Sequence, residues 1–219
     1  MRTFDNILAI ARDRHGDKLP ERIGNGPKPA AELAKIPEDR WLSIFTRAVF
    51  QAGFNWKVIE AKWDGFEEAF KAFDVDACAF MPEDWFEDLT ADKRIVRNPM
   101  KIRSVQENAI FLQGLRDRGG AGQVIGHWPS SDYIGLLALL KKDASRLGGT
   151  SGQYALRFMG RDGFILSRDV VARLVAEGVV DKEPTSKKAL EATQAAFNIW
   201  MDQSGKSLIE ISRVLALSI

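Results

Sequence analysis

The 219-residue sequence predicts an all-α protein. Apolar residues recur three and four positions apart along most of it, the period of one helix face. No segment sustains the apolar–polar alternation of a half-buried strand, and Gly163-Phe164-Ile165-Leu166 is the one short β-like run. Helix-start and helix-stop signals recur between the periodic stretches.

Phe4, Ile7, Leu8 and Ala11 mark a first amphipathic helix. Residues 17–29 read as a linker, with Pro20, Gly24, Gly26 and Pro27 among charges. Residues 41–54 are apolar on most faces, which predicts a buried central helix ended or bent at Gly53. Residues 56–73 are helical in spacing through Val58, Ile59, Trp63, Phe66, Phe70 and Phe73. Asp74 suits the N-cap of a short helix, and Pro82-Glu83-Asp84 suits the first turn of another. Asn98-Pro99 breaks the chain before an amphipathic helix at 101–115. Residues 118–126 are glycine-rich and read as a loop. Ser130-Ser131-Asp132 caps a helix through Leu140, residues 147–155 form a tight hairpin, and helices follow at 169–177, 187–201 and 207–217. The chain reads as a single helical domain over 1–219. Its segments are an N-terminal helix and linker (1–29), a central lobe (41–145), the hairpin with its following helix (146–176), and C-terminal helices (186–219).

Composition removes several function classes. The chain has 31 basic and 30 acidic residues and a net charge of +1, so it is neither a histone-like cation nor an acidic tail protein. A single cysteine forbids an intramolecular disulfide, which fits a reducing compartment. Cys78, His15 and His127 are too few for a four-ligand Cys/His zinc site, and no metal or cofactor is expected. No apolar run approaches the roughly 18 residues of a membrane span. The N-terminus shows no signal-peptide pattern, so a cytoplasmic protein is expected.

The hairpin Leu147-Gly148-Gly149-Thr150-Ser151-Gly152-Gln153-Tyr154-Ala155 places glycines at the start of a helix. There, free amides and the positive end of the helix dipole can hold a phosphate. With no preceding strand, it is not a dinucleotide-binding fingerprint. Read without further context, it is equally an ordinary helix–helix turn. Leu147, Gly149 and Ala155 match the register of the helix-hairpin-helix of DNA glycosylases, with Gly148 at the proline position and Ser151 at the second glycine. On that reading Gly149, Thr150, Ser151 and Gly152 face DNA, with Gly149 allowing the sharp turn.

A second stretch extends the resemblance. Gln51-Ala52-Gly53-Phe54-Asn55-Trp56 resembles the Gln-Ala-Gly-Leu-Ser-Trp signature of the 3-methyladenine DNA glycosylase I family. Similar short matches follow at Phe73-Asp74, Ile95-Val96-Arg97, Lys101-Ile102, Asn108-Ala109, Phe158-Met159 and Gly163, so the resemblance covers roughly residues 41–169. It implies a helix-hairpin-helix glycosylase fold of two helical lobes with a cleft between them. It also implies a monomeric base-excision enzyme acting on duplex DNA that carries an alkylated purine. Three features depart from the family. Its N-terminal aromatic segments have no counterpart before Trp41. Its zinc ligands are absent. Its base-recognising glutamate, eight residues before the signature tryptophan, is replaced by Ala48.

The resemblance also assigns roles. Trp56 stacks on the extruded base; Gln51 and Asn55 supply polar groups to the base pocket. Asp169 is the carboxylate that steadies the oxocarbenium-like sugar and orients water, by the logic of glycoside hydrolysis. Asp162 is a second acid in a turn. Arg97 and Lys101, in the basic run Arg94–Arg103, grip phosphates, and Met100 is placed to wedge the stack. No lysine follows the hairpin where strand-cleaving relatives carry their Schiff-base residue, which implies a monofunctional hydrolase.

Overall fold

The computed structural model describes all 219 residues, which form α-helices and short 3-10 turns with no strand. The helices in chain order are α1 Phe4–His15, α2 Leu19–Ile23, α3 Ala30–Leu33, α4 Glu38–Gln51, α5 Trp56–Ala61, α6 Trp63–Ala69, α7 Val75–Phe80, α8 Glu83–Ala91, α9 Pro99–Gln113, α10 Gly120–Gly126, α11 Tyr133–Asp143, α12 Thr150–Met159, α13 Arg168–Ala176, α14 Lys187–Ser204 and α15 Leu208–Leu217. They divide into two compact units that interleave along the chain. One holds Met1–Lys28, Trp128–Leu136 and Gly160–Ile219; the other holds Pro29–His127 and Leu137–Met159. No helix is long and apolar enough to cross a membrane.

Three expectations about the elements change. The linker at 17–29 contains α2, with Pro20 in its first turn, where the missing N–H costs nothing. The single helical stretch at 56–73 is broken: Lys71, Ala72 and Phe73 all have positive φ, between 54° and 60°. The glycine-rich 118–126 segment is mostly the helix α10. Its glycines serve close packing, since a Cβ on Gly122 would lie 2.5 Å from the Leu33 carbonyl oxygen and one on Gly126 would lie 2.9 Å from the Leu33 Cβ. Glycine at two positions four apart gives α10 a bare stripe for α3 to lie against.

The core of the second unit is aromatic. Trp63, Phe66, Phe70 and Phe73 stack in sequence with interplanar angles of 13–16°, and Phe50 meets Phe66 edge-on at 4.7 Å. A polar network fixes the rim of the stack: Arg40 donates two hydrogen bonds to Glu67, which also accepts from Ser43 and the Trp63 indole. Helices α7, α9 and α12 pack on this core with α4 central. Cys78 is buried there and donates to the Phe70 carbonyl at 3.5 Å.

The first unit packs α1, α13 and α14 around α15, with Phe4, Ile7, Phe197, Trp200 and Leu215 inside. The β-like run at Gly163–Leu166 is an extended buried segment of this unit. Gly163 is obligatory there, because a Cβ would lie 2.4 Å from the Tyr133 ring. Glu177 accepts from the Arg2 backbone N–H at 2.7 Å, from the Arg2 guanidinium at 2.8 Å and from Arg173 at 3.3 Å. Arg173 in turn donates to the Ser218 hydroxyl and carbonyl.

Burial alone would raise the Glu177 carboxyl. The Arg2 amide and guanidinium, helped by Arg173, outweigh it and hold the group below its ordinary range. A depressed carboxylate adds stability above the unfolded value and loses it as pH falls through the folded one. The unfolding midpoint is therefore expected to drop below pH about 4.5. Glu177→Gln should blunt that drop and cost about 3 kcal/mol at neutral pH in denaturant titrations, because the buried Arg173 loses its carboxylate counter-charge. Burial also pushes the Cys78 thiol up to about 12. A disulfide reagent at pH 8 should label no thiol in the native protein and one per chain after unfolding.

Candidate active site

The site begins where α4 ends. Ala52 (φ −62°, ψ 117°) and Gly53 (φ +74°) are the two central residues of a type II turn, closed by the Phe54 N–H donating to the Gln51 carbonyl at 3.1 Å. Open space surrounds Gly53, so the left-handed conformation, and not crowding, requires glycine there. Beneath the turn lies Lys101 of α9, only 8% exposed. Its ammonium donates to the carbonyls of Phe50 at 3.2 Å and Ala52 at 2.6 Å, and sits 4.7 Å from the Phe54 ring centre. It thereby satisfies carbonyls at the negative end of α4. Desolvation, with the nearby positive charge of Arg146, lowers its pKa. The expectation that Lys101 grips phosphate is corrected: its donors are turned inward onto the turn.

Asn55 is also corrected. Its side chain accepts from the Lys57 N–H at 3.0 Å and caps α5, so it does not line the base pocket. The cap sets Trp56 as the first residue of α5, 38% exposed. The indole meets Tyr154 edge-on at 5.2 Å and Phe158 at 5.7 Å, both one turn apart on α12. Tyr154 was missed in the sequence, although its four-residue spacing from Phe158 just after the hairpin is the visible signal.

The hairpin works differently from expectation. Its left-handed residue is Arg146 (φ 59°), and Gly149, expected to allow the sharp turn, has no positive φ. The close approach belongs to Gly152, where a Cβ would lie 2.1 Å from the Leu147 carbonyl oxygen. The Gly149 carbonyl accepts from the Gly152 and Gln153 amides, so the amides of Thr150 and Ser151 in the first turn of α12 are the ones left for a ligand. Ala155 and Leu147 are fully buried, as the packing role expected of them requires.

Together these elements enclose a cavity of about 220 Å³, lined by Ala48, Gln51, Trp56, Thr150, Ser151 and Tyr154 with the Ala52–Phe54 turn. None of the lining side chains carries a formal charge. The basic run around it is largely neutralised: Arg94 pairs with Asp92 and Glu68, and Arg103 with Glu83 and Gln106. Arg97 is exposed with no partner, as is the Met100 side chain beyond it. A zinc site does not fit the residues present. No three His, Cys, Asp or Glu side chains converge; His15 contacts the Leu217 carbonyl, His127 contacts that of Gln123, and Cys78 is buried.

Residues 38–125 match the model of the methyladenine glycosylases, a span that includes α4, the turn, Trp56 and Lys101. Over that segment, less than half of its length, the chain is similar to the methyladenine glycosylases. The match stops before the hairpin at 147–155, short of the 41–169 span read from the sequence. The crystal structure of a 3-methyladenine DNA glycosylase I aligns with 66% of this chain and 87% of its own length, at 22% identity and a TM-score of 0.47. The Methanocaldococcus jannaschii 8-oxoguanine glycosylase/lyase, solved with a 15mer DNA containing 8-oxoguanine, aligns with 96% of this chain and 93% of its own. Its identity is 13% and its TM-score 0.51, a likeness of fold. No curated protein matches the chain.

Asp169 lies in the other unit from the cavity, exposed in the first turn of α13, whose N-cap is Ser167. Asp162 is buried and accepts from the Ile209 N–H at 3.0 Å, holding the start of α15.

Lys101→Met should leave the Phe50 and Ala52 carbonyls without their donor and lower stability by about 1–3 kcal/mol. Urea unfolding measures the loss, and loss of Trp56 quenching by added base should accompany it.

Proposed function

We propose that this protein is a DNA glycosylase of base-excision repair that hydrolyses the N-glycosidic bond of an alkylated purine such as 3-methyladenine in duplex DNA, as a monofunctional monomer. The observation that carries the reading is the uncharged, base-sized cavity beside a half-exposed Trp56 and the first turn of α12. At about 220 Å³ it is smaller than the roughly 300–1,000 Å³ of pockets for drug-sized ligands, a scale suited to one flipped base. Trp56 offers a π-surface to that base, and Tyr154 offers a second aromatic wall. The free Thr150 and Ser151 amides with the α12 dipole suit a backbone phosphate, and unpaired Arg97 suits another. Gln51 supplies the polar group on the cavity wall. Asp169, an unpaired carboxylate in the first turn of α13, keeps the role that the sequence resemblance implies for it, at the sugar and the attacking water. An N-alkylated purine is a good leaving group, so stacking and one carboxylate can suffice.

The test is release of 3-methyladenine from methylated duplex DNA. Trp56→Ala should lower single-turnover release by about 10- to 100-fold, the scale of one lost base–aromatic stack. Asp169→Asn should lower it at least tenfold while duplex affinity stays unchanged. Arg97→Ala should weaken binding to all sequences alike and reduce the salt slope of log K by about one. Duplex binding without base release would assign a damage-binding module instead, a reading that Ala48 in the cavity favours.

A further inference from the structure

Gln51 ends α4 and is 3% exposed, and its side chain lines the cavity. Its carboxamide oxygen Oε1 is buried with no hydrogen-bond partner. Buried polar atoms are nearly always paired, and one left unpaired costs about 1–3 kcal/mol. A side chain held at such a cost beside a cavity, on a turn that Lys101 and Gly53 fix, is placed for a ligand. Ala48 lies three residues earlier on the same helix face and lines the same cavity, so the two positions address one ligand. Ala48 has no polar group to offer. We infer that the Gln51 carboxamide reads the edge of the base held at Trp56.

The chemistry of the group then defines the base. A carboxylate only accepts and favours a cation. A carboxamide is uncharged, with one donor face and one acceptor face. It complements a purine edge where a donor stands next to an acceptor, as in the bidentate pairing of glutamine with the adenine amino group and N7. With no charged side chain in the lining, recognition rests on that pair and on stacking, without selection for a positively charged base. This inference rests on the glycosylase reading and adds to it a recognition residue and a base class.

Calorimetric titration of the full chain with free adenine and free 3-methyladenine tests it, alongside release from methylated duplex. Gln51→Leu should weaken both bases by about 10- to 100-fold, with the unfolding midpoint unchanged or raised. Replacing an unpaired buried amide with an apolar group of similar size does not destabilise, whereas a purely structural role would lower the midpoint. Gln51→Glu should weaken adenine at least tenfold, because its ring nitrogens would face a second acceptor. Gln51→Met provides the same comparison as the leucine variant with a straight chain if leucine packs badly. Wild-type binding with variant affinities within twofold would overturn the role of Gln51 and leave the glycosylase reading standing. A wild-type chain that neither binds a base nor releases one would overturn both.

Discussion

The candidate site depends on one buried cation. Lys101 projects from α9 to the end of α4 and donates to the carbonyls of Phe50 and Ala52, on both sides of Gln51. A helix C-terminus presents unpaired carbonyls and a partial negative charge. An ammonium there pins the backbone while the lysine stem packs in the interior. The type II turn that follows fixes Phe54, Asn55 and hence Trp56 in place. The aromatic stack from Trp63 to Phe73 supports the same helix end through Phe50. A rigid helix terminus is a precise place to hold a recognition group, because few backbone angles separate it from the core.

The charge distribution follows from this use of Lys101. A net charge of +1 leaves no broad positive field, and most of the basic run is paired or turned inward. On the proposed reading, attraction to phosphate comes from a few local groups, Arg97 and the first-turn amides of α12. The cavity itself is neutral, so on the same reading stacking and hydrogen bonding discriminate between bases. Hydrogen-bond readout is the stronger discriminator, because a wrong edge leaves a buried polar group unpaired.

Close approach of backbones is the second constraint. Gly152 under the Leu147 carbonyl, Gly122 and Gly126 against α3, and Gly163 against the Tyr133 ring all stand where a methyl group cannot fit. Gly53 is of the other kind, required by its positive φ in open space, as are Gly16, Gly178 and Gly205.

Helical class, most helix positions, the signature at Gln51–Trp56 and the burial of Leu147 and Ala155 were legible in the sequence. Each is written in local periodicity, capping or spacing, which depend on neighbours a few residues away. The α10 segment was not legible, because glycine lowers helix propensity and only the presence of α3 opposite makes a bare helix face favourable. Nor could the sequence distinguish Lys101 from Arg97: both are cations in one basic run, and only burial separates a structural donor from a free one. The sequence by itself determined which chemistry the chain has available, an aromatic, an amide and a few basic groups with no metal-ligand set. The tertiary structure alone decided which of these meet: residues a hundred positions apart, from the end of α4 to the start of α12, converge on one cavity. The reason is that convergence is set by side-chain packing between helices, which no local pattern encodes.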